Sequence, residues 1–232
     1  MTDRILWQPV SLAPALAPGD LHLWRIPTGE DGARADADLA LLGERQQARA
    51  QRMTQRVARD RYVRSQAGLR RVLALYLGLA PERLRFGYGA AGKPALPGEL
   101  GWLEFNLTNT GDLALVGISR GMALGVDCEW VRPRRDLDAV ARRMFAPEVV
   151  QALADTPEPE RLAAFYRAWT AREADAKCDG RGLFRPRAAG ALPPEIAHLI
   201  PAPGYVAAIA RASLPPPERW LALELAPRPS PG

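Results

Sequence analysis

The chain has 232 residues, 47% of them hydrophobic and 25% charged. That balance belongs to a packed globular protein, one large domain or two small ones sharing a core, and excludes the disordered, collagenous and disulfide-scaffold classes. Two cysteines, Cys128 and Cys178, and two histidines, His22 and His198, rule out a four-cysteine zinc site and argue against histidine zinc centres and most histidine-base hydrolases, so acid, base or metal chemistry falls to carboxylates. Thirty-one basic residues against 26 acidic ones leave a charge of +5, which favours an anionic partner without naming it.

No stretch reaches the roughly 18 apolar residues of a membrane span, and the opening MTDRILWQPVSLAP lacks the features of a secretory signal. No membrane partner is expected, and the cytoplasm is the expected location. The first strand is predicted over residues 19–27, where Leu21, Leu23 and Ile26 come close to alternation before Pro27. Residues 28–38 read as a flexible loop. Residues 44–79 have helix-forming composition, with Leu69, Val72, Leu73 and Tyr76 on one face; they form one long helix or two broken near Gly68. Arginines at 45, 49, 52, 56, 59, 61 and 64 make its first half strongly basic.

Gly87 to Gly92 followed by Lys93 spells the letters of a dinucleotide fingerprint and most of a Walker loop, but Pro94 and Pro97 block the helix that either motif must open. Both nucleotide folds are discarded. Lys93 is kept as an anion contact, because it and Lys177 are the two lysines of a chain with 29 arginines, and a compact ammonium suits a narrow phosphate site. A short strand at 103–107 is followed by two apolar runs, 113–119 and 122–129, read as a hairpin through Arg120-Gly121. Helices are expected at about 136–154 and 159–178, and strands at 205–210 and 220–225. The class is α+β, in two comparable halves: an amino-terminal subdomain 1–121, a carboxy-terminal subdomain 122–225, and a flexible tail 226–232.

Asp127 and Glu129 lie two apart at the end of an apolar strand, so they point to one face. The pair is tolerable at a solvated strand end, or where a hard divalent cation neutralises it. In the third helix Leu162, Phe165, Tyr166 and Trp169 define an apolar stripe that Glu173 and Lys177 continue. They could form a simple intrahelical pair. Alternatively they face a cleft, where Glu173 would join Asp127 and Glu129 in a three-carboxylate magnesium site with Lys177 on a phosphate.

At these residues the sequence resembles the Sfp-type 4′-phosphopantetheinyl transferases, whose motifs G-K-P, F-N-[IL]-S-H-[ST]-G, G-[IV]-D-x-E and W-[ST]-x-K-E-[AS]-x-x-K-x-x-G-x-G-L occur in this order. Here they read Gly92-Lys-Pro94, Phe105-Asn-Leu-Thr-Asn-Thr-Gly111, Gly125-Val-Asp-Cys-Glu129 and Trp169 to Leu183. The resemblance spans roughly residues 40–210. It implies two similar α+β subdomains joined as a pseudo-dimer, with coenzyme A in the cleft between them. It also implies transfer of the 4′-phosphopantetheine arm to a serine of an acyl, peptidyl or aryl carrier protein, with release of 3′,5′-ADP.

By match to the motifs, Asp127, Glu129 and Glu173 would hold magnesium, or manganese, on the pyrophosphate. Glu173 would be the base for the serine, and Lys177 would neutralise the transferring phosphoryl group. Arg49, Arg61, Lys93, Thr108 and Asn109 would bind the nucleotide end, with Arg45 or Arg64 nominated by a shift of one helical turn. Three departures from the motifs stand out: Asn109 where the family has histidine, Arg172 for lysine, and Asp175 with Ala176 for apolar positions. Acid at 175 would add negative charge beside a polyphosphate, which keeps open a repurposed homologue that binds coenzyme A or a carrier protein without transfer. Arg132, Arg134, Arg135, Arg142 and Arg143 are candidates to attract an acidic carrier protein, with Met144 and Phe145 either an apolar contact or core. No nucleic-acid partner is expected, and a monomer is.

Overall fold

Alternation along the strands sorts the apolar residues into separate cores, and the layers follow from that sorting. In the computed structural model, residues 5–29 and 35–226 are described. Their order is β1 (Gln8–Val10), β2 (Leu21–Pro27), α1 (Ala35–Ala40), α2 (Glu44–Gln51), α3 (Arg56–Leu77), β3 (Gly87–Tyr88), β4 (Pro94–Ala95), β5 (Leu103–Thr110), β6 (Leu113–Arg120), β7 (Leu124–Trp130), α4 (Leu137–Met144), α5 (Pro147–Asp155), α6 (Glu158–Asp179), β8 (Glu195–Leu199), β9 (Tyr205–Arg211) and β10 (Trp220–Leu225). One sheet runs β1-β10-β2-β6-β5, a second runs β7-β9-β8, and β3 with β4 forms a small hairpin. The protein is α+β, as expected, and among the described residues no helix is long and apolar enough to cross a membrane.

On β2 and β6 the even-numbered residues Trp24, Ile26, Ala114, Val116 and Ile118 pack with Leu69, Val72 and Leu73 of α3. The odd-numbered Leu21, Leu23, Leu113 and Leu115 pack instead with Leu124, Val126 and Cys128 of β7 and Ala207 and Ile209 of β9. The opposite faces of β7 and β9 meet α6, where Ala208 and Ala210 contact Ala174 and Cys178. The layers therefore run α3, first sheet, second sheet, α6, and a period of two on each strand is what makes both sheets two-sided.

The contact between β7 and α6 is unusually close. A methyl group built on Gly125 would lie 1.9 Å from the Ala174 carbonyl oxygen and 2.5 Å from the Cys178 amide nitrogen. Only glycine allows the helix backbone to rest on the strand at that point.

Several expectations are corrected. The basic helical region breaks at residues 52–55, not at Gly68, which sits mid-helix because a methyl there would lie 2.6 Å from the Ile26 side chain. The runs 113–119 and 122–129 are not a hairpin. β6 pairs with β2 and β5, whereas β7 pairs with β9 in the other sheet, so the chain changes sheets at Gly121. The hairpin is β5–β6, closed at Gly111-Asp112. Residues 35–38 begin α1 rather than a loop, while 30–34 and the tail 227–232 lie outside the described residues. The region 136–154 divides at Phe145-Ala146, where Pro147 starts α5. β10, placed by sequence in the second half, pairs parallel with β2 in the first sheet. Phe145 packs against the core around Phe165 and Tyr166, and Met144 is buried.

His22 is 1% exposed, with its Nδ1 2.7 Å from the Tyr76 hydroxyl, which accepts the Trp24 indole N–H at 2.9 Å. The Tyr76 hydroxyl and the His22 ring share that hydrogen bond. Burial holds the His22 pKa below its ordinary value, against the charge of Asp20.

Two tests follow from these contacts. Gly125→Ala should cost about 3 kcal/mol or more in urea unfolding, since overpacking against backbone has no side chain to yield, whereas Gly101→Ala, whose methyl would meet its nearest atom at 3.5 Å, should cost under about 1 kcal/mol. Near-equal costs would show that α6 can shift. Because the folded pKa of His22 is lowered, the unfolded chain binds its proton first. Wild type should therefore lose stability relative to His22→Asn, which keeps an acceptor for Tyr76, as pH falls below about 6.5. Parallel stability curves from pH 8 to 5 would contradict that.

Candidate active site

The α6-facing side of β7 carries Gly125, Asp127 and Glu129 in alternation, and the glycine lets α6 approach far enough for its side chains to reach the two acids. Asp127 is 4% exposed. Its Oδ1 accepts the Lys177 ammonium at 2.5 Å and the Thr108 hydroxyl at 3.1 Å, while Oδ2 is buried with no hydrogen-bond partner. Glu129 accepts the Thr110 hydroxyl at 3.3 Å. Glu173 lies one turn before Lys177 on α6.

Burial raises the pKa of Asp127, with Lys177 opposing. Burial also raises Glu129, and the neighbouring Asp127 and Glu173 charges add to it. Glu173 is raised for the same reasons, burial first, with Lys177 opposing and Asp127 reinforcing. The structure thus brings Asp127, Glu129, Glu173 and Lys177 into one electrostatically coupled group, in which three negative charges share a single ammonium.

On the other side of β5 lies an open cleft of about 430 Å³, lined by Arg45, Arg49, Arg52, Tyr62, Tyr88, Leu107 and Asn109 among others. Two of its three arginines rest on aromatic rings: the Arg45 guanidinium lies 3.9 Å from the Tyr88 ring centroid and Arg49 lies 5.0 Å from that of Tyr62. Such stacking holds a guanidinium in place while leaving its N–H edge available to an anion. Arg49 and Asn109 therefore meet in this cleft, joined by Arg45.

The other nucleotide candidates do not line the cleft. Arg61 pairs with Asp112 at 2.7 Å, and Arg64 donates to the Thr28 carbonyl at 3.0 Å and to the Gly29 carbonyl. Lys93 donates to the carbonyls of Leu124 at 3.0 Å and Cys178 at 2.9 Å, so its ammonium caps the end of α6 and ties it to β7. The Gly87–Lys93 segment forms β3 and the turn into β4, without the helix a phosphate loop would need. Thr108 faces Asp127 rather than the cleft. Sequence reasoning missed Arg52, Tyr62 and Tyr88, whose contribution depends on α2, α3 and the β3–β4 hairpin meeting in space.

Asp175 is not an unbalanced charge. It pairs with Arg181 and Arg187, and both arginines also pair with Asp179, at 2.6 and 3.0 Å. This four-residue network fixes the chain leaving α6. Arg134 pairs with Asp136, while Arg132, Arg135, Arg142 and Arg143 are exposed.

Among the described residues no three His, Cys, Asp or Glu side chains are gathered tightly enough to hold a metal ion. The donor chemistry nevertheless suits one: three carboxylates, of which Asp127 keeps a buried oxygen free, are the hard ligands that magnesium takes.

The sequence profile of the 4′-phosphopantetheinyl transferase superfamily matches residues 123–220. The 4′-phosphopantetheinyl transferase HetI of Nostoc sp. is 33% identical over 181 residues, 77% of this chain and 76% of that one. The chain belongs to the 4′-phosphopantetheinyl transferase superfamily. Slr0495 of Synechocystis sp., provisionally named for the same activity, is 34% identical over 163 residues, 70% of this chain and 65% of that protein. The 4′-phosphopantetheinyl transferase AcpT of Salmonella typhimurium is 35% identical over 115 residues, 49% of this chain and 57% of that protein. The transferase assignment covers the β7 and α6 segments that carry the carboxylates and Lys177.

Removing the ammonium of this transferase should expose the cost of its buried acids. Lys177→Met is expected to lose about 1–3 kcal/mol near pH 7.5, less than for a fully buried pair because the Lys177 side chain is 30% exposed. The loss should shrink as pH falls, since the folded pKa of Asp127 then lies still further above its unfolded value and protonation relieves the charge. Adding Asp127→Asn should recover much of it. A double variant no more stable than Lys177→Met would show that the pair is not the source.

Proposed function

We propose that this protein transfers the 4′-phosphopantetheine arm of coenzyme A to a serine hydroxyl of an acyl, peptidyl or aryl carrier protein, releasing 3′,5′-ADP. One observation carries the reading: within a chain of this superfamily, β5 has an arginine-lined cleft on one side and, on the other, a carboxylate cluster with a lysine around the buried Asp127. The cleft suits a phosphorylated nucleotide. The cluster suits the reacting pyrophosphate.

In this reading Arg45, Arg49 and Arg52, with Asn109, bind the nucleotide phosphates, and Asn109 contributes a neutral amide where a histidine could carry charge. Arg61, Lys93 and Thr108 are not carried forward as nucleotide contacts, because they do not line the cleft. Asp127, Glu129 and Glu173 would hold magnesium, or manganese in its place, which when bound neutralises negative charge on the pyrophosphate oxygens. Glu173, whose pKa is raised by burial, takes the serine proton directly or through a water. The serine oxygen forms its bond to phosphorus as the bond to the 3′,5′-ADP oxygen breaks. Lys177 stabilises charge on the transferring phosphoryl group, so catalysis is chiefly positioning and electrostatics.

The exposed Arg132, Arg135, Arg142 and Arg143 would attract the acidic surface of a carrier protein. The two sheets, each with its own 22-residue helix, support a pseudo-duplicated arrangement with its division near residues 121–122, and we take the working unit to be a cytoplasmic monomer. A repurposed homologue without transfer is not favoured, because the charge of Asp175 is cancelled by Arg181 and Arg187.

Intact mass spectrometry of an apo carrier protein incubated with this protein, coenzyme A and magnesium tests the reading. A gain of about 340 Da, one phosphopantetheine arm, is expected with wild type and not with Glu173→Ala or without metal. No gain with fatty-acid, polyketide and peptide-type carriers, despite coenzyme A binding, would sink it.

A further inference from the structure

The pleat of β5 separates two tasks that adjacent residues perform. Leu107 and Asn109 line the arginine cleft. Asn106, Thr108 and Thr110 point the other way, and each hydrogen-bonds to β7. A strand period of two puts neighbouring side chains on opposite faces, so position 108 cannot reach the face that 109 occupies.

We propose that Thr108 and Thr110 are positioning residues for the β7 carboxylates: each hydroxyl holds one carboxylate oxygen and so determines which oxygen is left for a divalent cation. The inference rests on the metal-dependent transfer reading above. Thr108 donates to the same Asp127 oxygen that accepts Lys177. With Oδ1 held by a hydroxyl and an ammonium, the carboxylate cannot rotate without breaking both bonds, and Oδ2 remains buried and without a partner.

Thr110 acts in parallel on Glu129. Its Oγ1 donates to Glu129 Oε2 at 3.3 Å and accepts the Trp130 backbone N–H at 3.4 Å, so the backbone sets the direction of the hydroxyl. Asn106 completes the ladder at its inner end, its Oδ1 accepting the Val126 N–H at 2.9 Å. That bond fixes the register of β7 against β5, two strands of different sheets. The three residues stand at i, i+2 and i+4 of one strand, and their partners step along β7 beside them. Neither threonine touches the reacting atoms in this arrangement. Their effect passes through Asp127 and Glu129, as groups hydrogen-bonded to metal-ligating carboxylates are known to act.

The test separates metal from nucleotide. Mn²⁺ binding is measured by calorimetry on the full-length protein without coenzyme A, and coenzyme A binding is measured without metal, for wild type, Thr108→Val, Thr108→Ser and Thr110→Val. Valine keeps the shape of threonine and removes the hydroxyl. The expected result is Mn²⁺ affinity reduced about tenfold or more in both valine variants and restored in Thr108→Ser, with coenzyme A binding unchanged throughout. Unaltered Mn²⁺ affinity with weakened coenzyme A binding in Thr108→Val would overturn the inference and return Thr108 to the nucleotide. If Thr108→Val does not fold, Thr110→Val decides, and wild-type Mn²⁺ affinity there counts against the proposal. A wild-type protein that binds no Mn²⁺ overturns the inference together with the metal reading. Failure of transfer with every carrier type sinks the function alone and leaves the Mn²⁺ comparison intact.

Discussion

The backbone of α6 rests on β7 at Gly125, and most of the candidate site depends on that contact. With a helix in van der Waals contact with the strand, the next residue on the same face of β7, Asp127, is buried against Lys177 of α6, and Glu129 beyond it is half-buried rather than left at a wet strand end. The small residues Ala174, Ala208 and Ala210 in the same layer serve the same close approach. Lys93 holds the arrangement from outside by donating to carbonyls of both the strand and the helix end. Burying acids costs free energy unless cations and donors surround them. Lys177, Thr108 and Thr110 supply that surround, and the partnerless oxygen of Asp127 marks where it stops.

β5 is the second organising element. It is an edge strand of the first sheet, and it faces two environments that differ in sign: an arginine-lined cleft on one side and a carboxylate cluster on the other. An anionic substrate spanning a nucleotide and a reacting pyrophosphate would need both. In the proposed reading the positive cleft would draw it in, whereas the acidic cluster would repel it unless a cation intervened.

Departures from the family pattern read differently once their surroundings are known. Asp175 seemed to add negative charge beside a polyphosphate, yet Arg181 and Arg187 cancel it and join it to Asp179. The acid serves to anchor the chain that leaves α6. Asn109 lines the cleft as a neutral amide, so under the proposed function its consequence would fall on nucleotide affinity and not on the carboxylates.

Much of this was legible in the residues themselves. The α+β class, the strands at 19–27 and 205–210 and the long helix near 159–178 follow from short-range periodicity, which reports burial on one face. Asp127 and Glu129 two apart on a strand, and Glu173 and Lys177 four apart on a helix, had to share faces whatever the fold. Three things were decided only in the tertiary structure. Gly121 was read as a hairpin turn because two apolar runs flanked it; the chain instead crosses between sheets, since β2 rather than β7 satisfies the backbone of β6. Of the crowded arginines, only long-range packing distinguished Arg45, stacked on Tyr88 of β3, Arg49, stacked on Tyr62 of α3, and Arg52 from Arg61 and Arg64, which bond to a turn acid and to carbonyls. Thr108 and Asn109 are adjacent in sequence and were read as one unit. The sheet edge that each side of β5 meets, a long-range property without a local signal, is what sends one to the carboxylates and the other to the cleft.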